Sequence, residues 1–311
     1  MTRAVVFAYH NVGVRCLAVL LAQKVEVPLV LTHRDNPNEN IWFESVAELA
    51  ARHGIAVITP DDPNTPEVMA QIAALQPDFI FSFYYRHMLA PALLQLARRG
   101  AYNIHGSLLP KYRGRVPVNW AVIHGEEETG ATLHRMVEKP DAGEIVAQQA
   151  APILMHETAG EVFAKVTDAA AVVLERCLPA LIAGNAPHTQ QAPGSGSYFG
   201  GRKPEDGLID WRQSGWKIHN LVRGVAPPFP GAFTYLQGKV LRVLLTLPAP
   251  QREAHSATHG MYYAHGRCYA DCNHGHVLRL LQLEYDGKPL TAQDFLARFG
   301  DKKIPFDPLP A

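Results

Sequence analysis

The first half of the chain alternates short apolar runs with longer amphipathic stretches. Apolar runs fall at residues 5–8, 27–32, 55–58, 79–83 and 101–105, and helix-period segments fall between them at 14–23, 43–53, 67–75 and 91–99. Strands that alternate with helices are joined by crossovers, and crossovers of that length make neighbouring strands parallel. The expected fold class is therefore α/β: a mostly parallel, Rossmann-like sheet with helices on both faces. Ligands of such sheets bind beyond the carboxyl ends of the strands. Two segments meet that condition here, Tyr9, His10 and Asn11 after the first strand, and the end of the run at 101–105. Gly13 stands alone after the first strand, without the G-x-G-x-x-G fingerprint, which argues against nicotinamide or flavin binding.

The pattern then changes. A helix is expected at 119–124, strands at 132–137 and 145–150 around a Pro-Asp-Ala-Gly turn, and a long amphipathic helix at 159–181. A Gly/Ser/Pro segment at 192–197 reads as a linker. Beyond it, a helix at 214–225 precedes short strands at 232–236, 240–245, 266–271 and 277–284. This predicts a smaller β-rich, barrel-like carboxyl-terminal domain. The expected division is 1–203 for a catalytic domain and 204–311 for the β-rich one. With 29 basic and 29 acidic residues the formal charge is zero, which offers no footprint for nucleic acid or an anionic membrane. No signal peptide and no apolar run of about 18 residues are visible. Four cysteines in 311 residues do not make a disulfide framework. A reduced, cytoplasmic protein is expected.

The chemistry concentrates at Asn103 and His105. On an extended backbone, residues two apart share a face. An amide donor and an imidazole would then serve one spot, which suits a reaction in which a carbonyl becomes an oxyanion while a proton moves. An isolated Asn-x-His is commonly satisfied by turn hydrogen bonds, but here it opens the run N-I-H-G-S-L-L-P-K-Y-R-G-R, ending at Arg115. Asp141, in the Pro-Asp-Ala-Gly turn, is a carboxylate able to orient His105 and raise its pKa if the two meet. Cys268, Cys272, His274 and His276 lie within nine residues of one another and are metal-like in type. Their spacing fits a β-hairpin better than a zinc site, and no metal is expected. His33, His53, His188, His219, His255, His259 and His265 are scattered and read as surface or packing residues, whereas His87 and His134 lie nearer the candidate site.

The run from Asn103 to Gly114 resembles the signature of the folate-dependent formyltransferases, and D-A-G-E-I from Asp141 matches that family's D-x-G-x-I motif. D-G-L-I-D-W from Asp206 and R-G-V-A-P-P-F-P-G-A from Arg223 resemble recurrent pieces of the family's carboxyl-terminal domain, so the likeness spans nearly the whole chain. Within the family, V-F-A-Y-H from Val6, F-S-F-Y-Y-R-H from Phe81 and L-H-R-M-V from Leu133 are most similar to the ArnA branch. That branch formylates the 4-amine of UDP-4-amino-4-deoxy-L-arabinose in lipid A modification and polymyxin resistance. The resemblance implies 10-formyltetrahydrofolate as formyl donor and Asn103, His105 and Asp141 as the catalytic trio. It also implies a folate site at His87, Met88, Leu89, Arg115, Val137, Glu138, Lys139, Pro140 and Asp141. Tyr9, Asn11, Ser107, Tyr198, Arg202 and Arg223 are candidates for the nucleotide-sugar side. The expected partners are small molecules, without nucleic acid or a membrane span. The bifunctional members carry a dehydrogenase half that has no counterpart here, so a free-standing formyltransferase or an excised domain is expected. Methionyl-tRNA, or a dTDP- or GDP-linked amino sugar, is the alternative acceptor, and a non-catalytic binding protein on the same fold is the remote one. The segment after the second strand carries three acids (Asp35, Glu39, Glu44) against Arg34, which argues against tRNA.

Overall fold

A computed structural model describes residues 1–192, 194–250 and 258–309. The chain divides into two compact units. One comprises Met1–Pro117, Glu128–Pro152 and Phe163–Gly200, and the other Val118–Glu127, Ile153–Val162 and Gly201–Ala311.

The first half runs β1 (Arg3–Ala8), α1 (His10–Ala22), β2 (Glu26–Leu31), α2 (Val46–Arg52), β3 (Ala56–Ile58), α3 (Pro66–Ala74), β4 (Phe79–Phe83), α4 (Pro91–Leu94) and β5 (Ala101–His105). It continues through β6 (Arg113–Gly114), α5 (Pro117–His124), β7 (Glu128–Arg135), β8 (Ile145–Pro152), α6 (Ala159–Ala183) and β9 (Tyr198–Phe199). Seven strands form one sheet in the order β3-β2-β1-β4-β5-β7-β8. The five from β3 to β5 are parallel, and β7 and β8 are added antiparallel. The central strands are covered on both faces, which is why β1 and β4 read as nearly unbroken apolar runs. Val5, Phe7, Leu29, Leu31, Ile72, Ile80 and Leu93 form the core on one side. Pro28, which has no N–H for a ladder, falls where the β1–β2 register shifts.

Two expected helices are shorter than their patterns. The stretch 43–53 becomes helical only at Val46, because Ser45 caps it by accepting from the Glu48 N–H. The stretch 91–99 yields only Pro91–Leu94; Arg98 and Arg99 instead donate their N–H groups to the carbonyls of Pro77 and Asp78 at the entry to β4.

In the second unit, α7 (Gly215–Val225) precedes β10 (Ala232–Leu236), β11 (Lys239–Ala249), β12 (Gly260–Ala264), β13 (Arg267–Asp271), β14 (Val277–Tyr285) and β15 (Lys288–Pro289). α8 (Ala292–Phe299) and β16 (Ile304–Pro305) end it. The strands pair antiparallel in the order β10-β11-β14-β13-β12-β16, an open half-barrel. Ile218, Val222 and Val225 of α7 join the core of this sheet, and Phe306 stacks on Trp211 at 4.2 Å. The strand β12 and the helix α8 were not expected from the sequence. Cys268 and Cys272 lie on the β13–β14 hairpin, whose turn is Asn273-His274-Gly275. Pro193 of the expected linker and His255 lie outside the described residues. Among the described residues, no helix is long and apolar enough to cross a membrane.

Candidate active site

β5 is the strand that carries the site. Its alternation sends Tyr102 and Ile104 into the core on one face and Asn103 and His105 to the other. β7 pairs antiparallel with β5 so that His134 stands opposite Asn103 and Thr132 opposite His105. Directly opposed residues share a face. Asn103 Nδ2 lies 3.0 Å from His134 Nε2, and His134 Nδ1 lies 3.0 Å from the Arg135 carbonyl. His134 is fully buried, and burial pushes its pKa down to about 4 against the opposing pull of Asp141.

Asp141 arrives on the turn between β7 and β8, in the left-handed conformation (φ 53°) that Asp tolerates. Gly143 permits the turn: a Cβ there would lie 1.9 Å from the Arg135 carbonyl oxygen. Gln191 Nε2 donates to the carbonyls of Asp141 and Gly143 at 2.8 and 2.7 Å. The Gly114 N–H donates to Asp141 Oδ2 at 2.9 Å. Oδ1 is left facing His105 Nδ1 at 3.5 Å and His134 Nε2 at 3.7 Å. The structure thus brings Asn103, His105 and Asp141 together and adds His134 as a fourth member. The signal for it in the sequence was its place in the strand beside β5, which needs a register to be read.

The loop between β5 and β6 closes the other side of His105. His105 Nε2 lies 2.7 Å from the Tyr112 carbonyl, so both ring nitrogens face oxygen atoms. Ser107 is buried, and its hydroxyl donates to the Lys111 carbonyl at 2.6 Å. Thr132 Oγ1 donates to the Ser107 carbonyl and accepts from the Leu109 N–H, and Gln148 donates to the Leu109 carbonyl. This bracing fixes the loop against His105.

Of the residues expected around a folate, Leu89 is buried in the core cluster against which Met136, the residue before Val137, also packs. Met88 and Val137 stay 58% and 42% exposed, a supply of apolar surface for a flat ring. Asn64, not foreseen, holds the 87–89 segment by donating to the Met88 carbonyl and accepting from the Ala90 N–H. His87 is exposed, its ring 4.9 Å from that of His33. Glu138 and Lys139 are exposed on the turn and Pro140 is half-buried. Arg115, also exposed, follows the Gly114 that holds Asp141.

The nucleotide-sugar candidates are more scattered. Tyr9 donates to Asp35 at 2.7 Å, and Asn11 Oδ1 accepts from the Glu44 N–H, so both tie down the 33–45 segment. Tyr198 is 62% exposed on β9, paired with Arg113 on β6. Arg202 and Arg223 belong to the second unit. Arg202 lies over Trp120, whereas Arg223 is buried and bonded to Asn220 and to the carbonyls of Leu154 and Glu157. A cavity of about 180 Å³ lined by Arg99, Tyr102, Arg135 and His188 opens on the opposite face of β5 and is not part of this site. Cys268 and Cys272 are buried, with thiols pushed up to about 11 and 12, and His276 accepts from the Gly215 N–H. Among the described residues, no group of three or more His, Cys, Asp or Glu side chains is set to hold a metal.

Comparison with known proteins gives a consistent picture. The formyl transferase family model matches residues 15–178, and the model of the formyl transferase C-terminal domain matches 202–300. An N-formyltransferase structure from Helicobacter canadensis, in complex with folinic acid and dTDP-3-aminofucose, is similar at 17% identity and TM-score 0.70, covering 90% of this chain and 99% of that one. WlaRD, a sugar 3N-formyl transferase solved with dTDP and 5-N-formyl-THF, matches at 18% identity and TM-score 0.71 over 90% and 97% of the two chains. A 4-N formyltransferase from Francisella tularensis matches at 18% identity and TM-score 0.62 over 75% and 91%.

Proposed function

This chain belongs to the formyl transferase family, and from that premise we propose that it moves a formyl group from 10-formyltetrahydrofolate to the 4-amine of a nucleotide-linked amino sugar, UDP-4-amino-4-deoxy-L-arabinose. The observation that carries the reading is the convergence of Asn103, His105 and Asp141 at one strand end. In the transfer, the neutral amine nitrogen bonds to the formyl carbon, the bond from that carbon to folate N10 breaks, and one proton passes from the amine to N10. Asn103 donates to the carbonyl oxygen as it gains charge; one such donor is worth roughly 3–4 kcal/mol of barrier. His105 handles the proton, and Asp141, fixed by the Gly114 N–H, orients the imidazole and balances its charge. Met88, Leu89, Arg115 and the turn of Val137–Asp141 receive the folate, with apolar side chains against the ring.

Two neighbours of similar fold were solved with dTDP or a dTDP-linked sugar, which favours a dTDP-linked amino sugar as the second reading. A formyl-transfer assay with UDP-4-amino-4-deoxy-L-arabinose, dTDP-linked amino sugars and methionyl-tRNA tests both. The highest kcat/KM is expected with the UDP sugar. Preference for a dTDP sugar selects the second reading, and preference for the tRNA removes both.

A further inference from the structure

We propose that His134 is the positioning residue for Asn103, its neutral imidazole fixing which end of the amide faces the reacting carbonyl. The inference rests on the formyl-transfer reading and extends it to a residue outside the trio. A backbone carbonyl only accepts, so the contact of His134 Nδ1 with the Arg135 carbonyl places the ring proton on Nδ1. A neutral imidazole has one donor and one acceptor, so Nε2 must accept. The group 3.0 Å from Nε2 is the Asn103 amide, and only its NH2 end can donate there. One N–H is used on His134, and the second remains for the oxygen that gains charge. Without this acceptor the amide is free to turn over and present its own oxygen, which repels an oxyanion instead of binding it.

The surroundings keep the ring neutral. The ionisable groups facing it are Asp141, 3.7 Å away on the β7–β8 turn, and His105 on β5. Asp141 favours a charged ring, His105 opposes it, and burial outweighs the carboxylate. The next residue, Arg135, points to the other face of the strand and pairs loosely with Glu144.

The test uses His134→Met, which removes the acceptor and keeps an apolar, flexible side chain, and His134→Gln, whose Oε1 can still accept. His134→Met is expected to lower kcat about 100-fold while KM for both substrates stays within about twofold. His134→Gln should recover to within about tenfold of the parent. Asn103→Ala combined with His134→Met should be no slower than Asn103→Ala alone, because the two residues act as one device. A histidine that merely filled the core would lower the thermal midpoint and leave kcat of the folded fraction alone; that result, or multiplying effects in the double variant, overturns the proposal. Nitrogen-15 NMR of the imidazole at pH 7 reads the tautomer without any acceptor. A proton on Nδ1 is expected, and a proton on Nε2 overturns the positioning role. If no acceptor of the panel is formylated, the functional reading falls, while the tautomer still decides whether His134 holds the amide.

Discussion

At the scale of single residues, the site depends on close approaches as much as on the reactive groups. Gly106 sits between His105 and Ser107, and a Cβ there would lie 2.0 Å from the Tyr84 hydroxyl and 3.1 Å from the ring carbon bearing it. That hydroxyl is buried without a hydrogen-bond partner, and Tyr84 has a positive φ of 58°. Gly106→Ala is therefore expected to destabilise the protein by about 1–3 kcal/mol, the range of overpacking. Adding Tyr84→Phe should restore much of the loss, since it removes both the clashing atom and an unsatisfied buried group. Thermal or urea unfolding of the single and double variants checks this; strictly additive losses would show that the two residues do not collide. Asn103→Asp alters almost no volume but puts a negative charge where the proposed oxyanion forms, so kcat should fall at least about 100-fold. A steady-state assay giving near-parental kcat would remove Asn103 from the oxyanion role.

At the scale of elements, the segment between β2 and α2 is held by side chains rather than by strand pairing. Arg86 forms two hydrogen bonds to Glu39 at 3.0 and 2.9 Å, Tyr9 bonds Asp35, and Asn11 binds the Glu44 N–H. Arg86→Ala removes the bidentate tie, so limited proteolysis should cut between residues 34 and 41 faster in the variant than in the parent; equal rates would show that the segment is held elsewhere. These ties also explain what was legible in the sequence. Period and apolar runs located β4, β5 and β10 to the residue, because buried parallel and half-buried antiparallel strands announce themselves by pattern. The pairing of Asn103 with His105 was legible for the same reason, since it follows from a two-residue period. The contact of His134 with Asn103 was not, because it depends on a register between β5 and β7 that sequence spacing does not encode. Nor were the ties that Tyr9, Asn11 and Arg223 make to Asp35, to the Glu44 N–H and to the carbonyls of Leu154 and Glu157, which join segments distant in sequence.

At the scale of the whole molecule, four histidines among the described residues are held neutral by burial. His10 is pushed down to about 3, and His33, His134 and His219 to about 4; the next contributors are Arg86 for His10 and His87 for His33. An unfolded chain protonates histidine near pH 6.5. Between that value and about 4 the unfolded state therefore binds more protons than the folded one, and stability rises with pH across the interval. The contribution is complete above about pH 6.5 and is lost as pH falls through the folded values. The depressed carboxylates, among them Glu39 paired with Arg86, lose their contribution only at lower pH, since even an unfolded carboxyl titrates near 4. The thermal midpoint should thus be flat from about pH 8 to 7 and fall between about 6.5 and 4. His219 is buried against Thr246 at 2.9 Å, and Gln can keep a hydrogen bond there without titrating. His219→Gln should flatten the fall between pH 6.5 and 4 relative to the parent, whatever it does to the midpoint at pH 8. Calorimetric scans of both proteins across this range decide it: parallel profiles would mean that His219 titrates alike in the folded and unfolded states, and that its burial does not govern its charge.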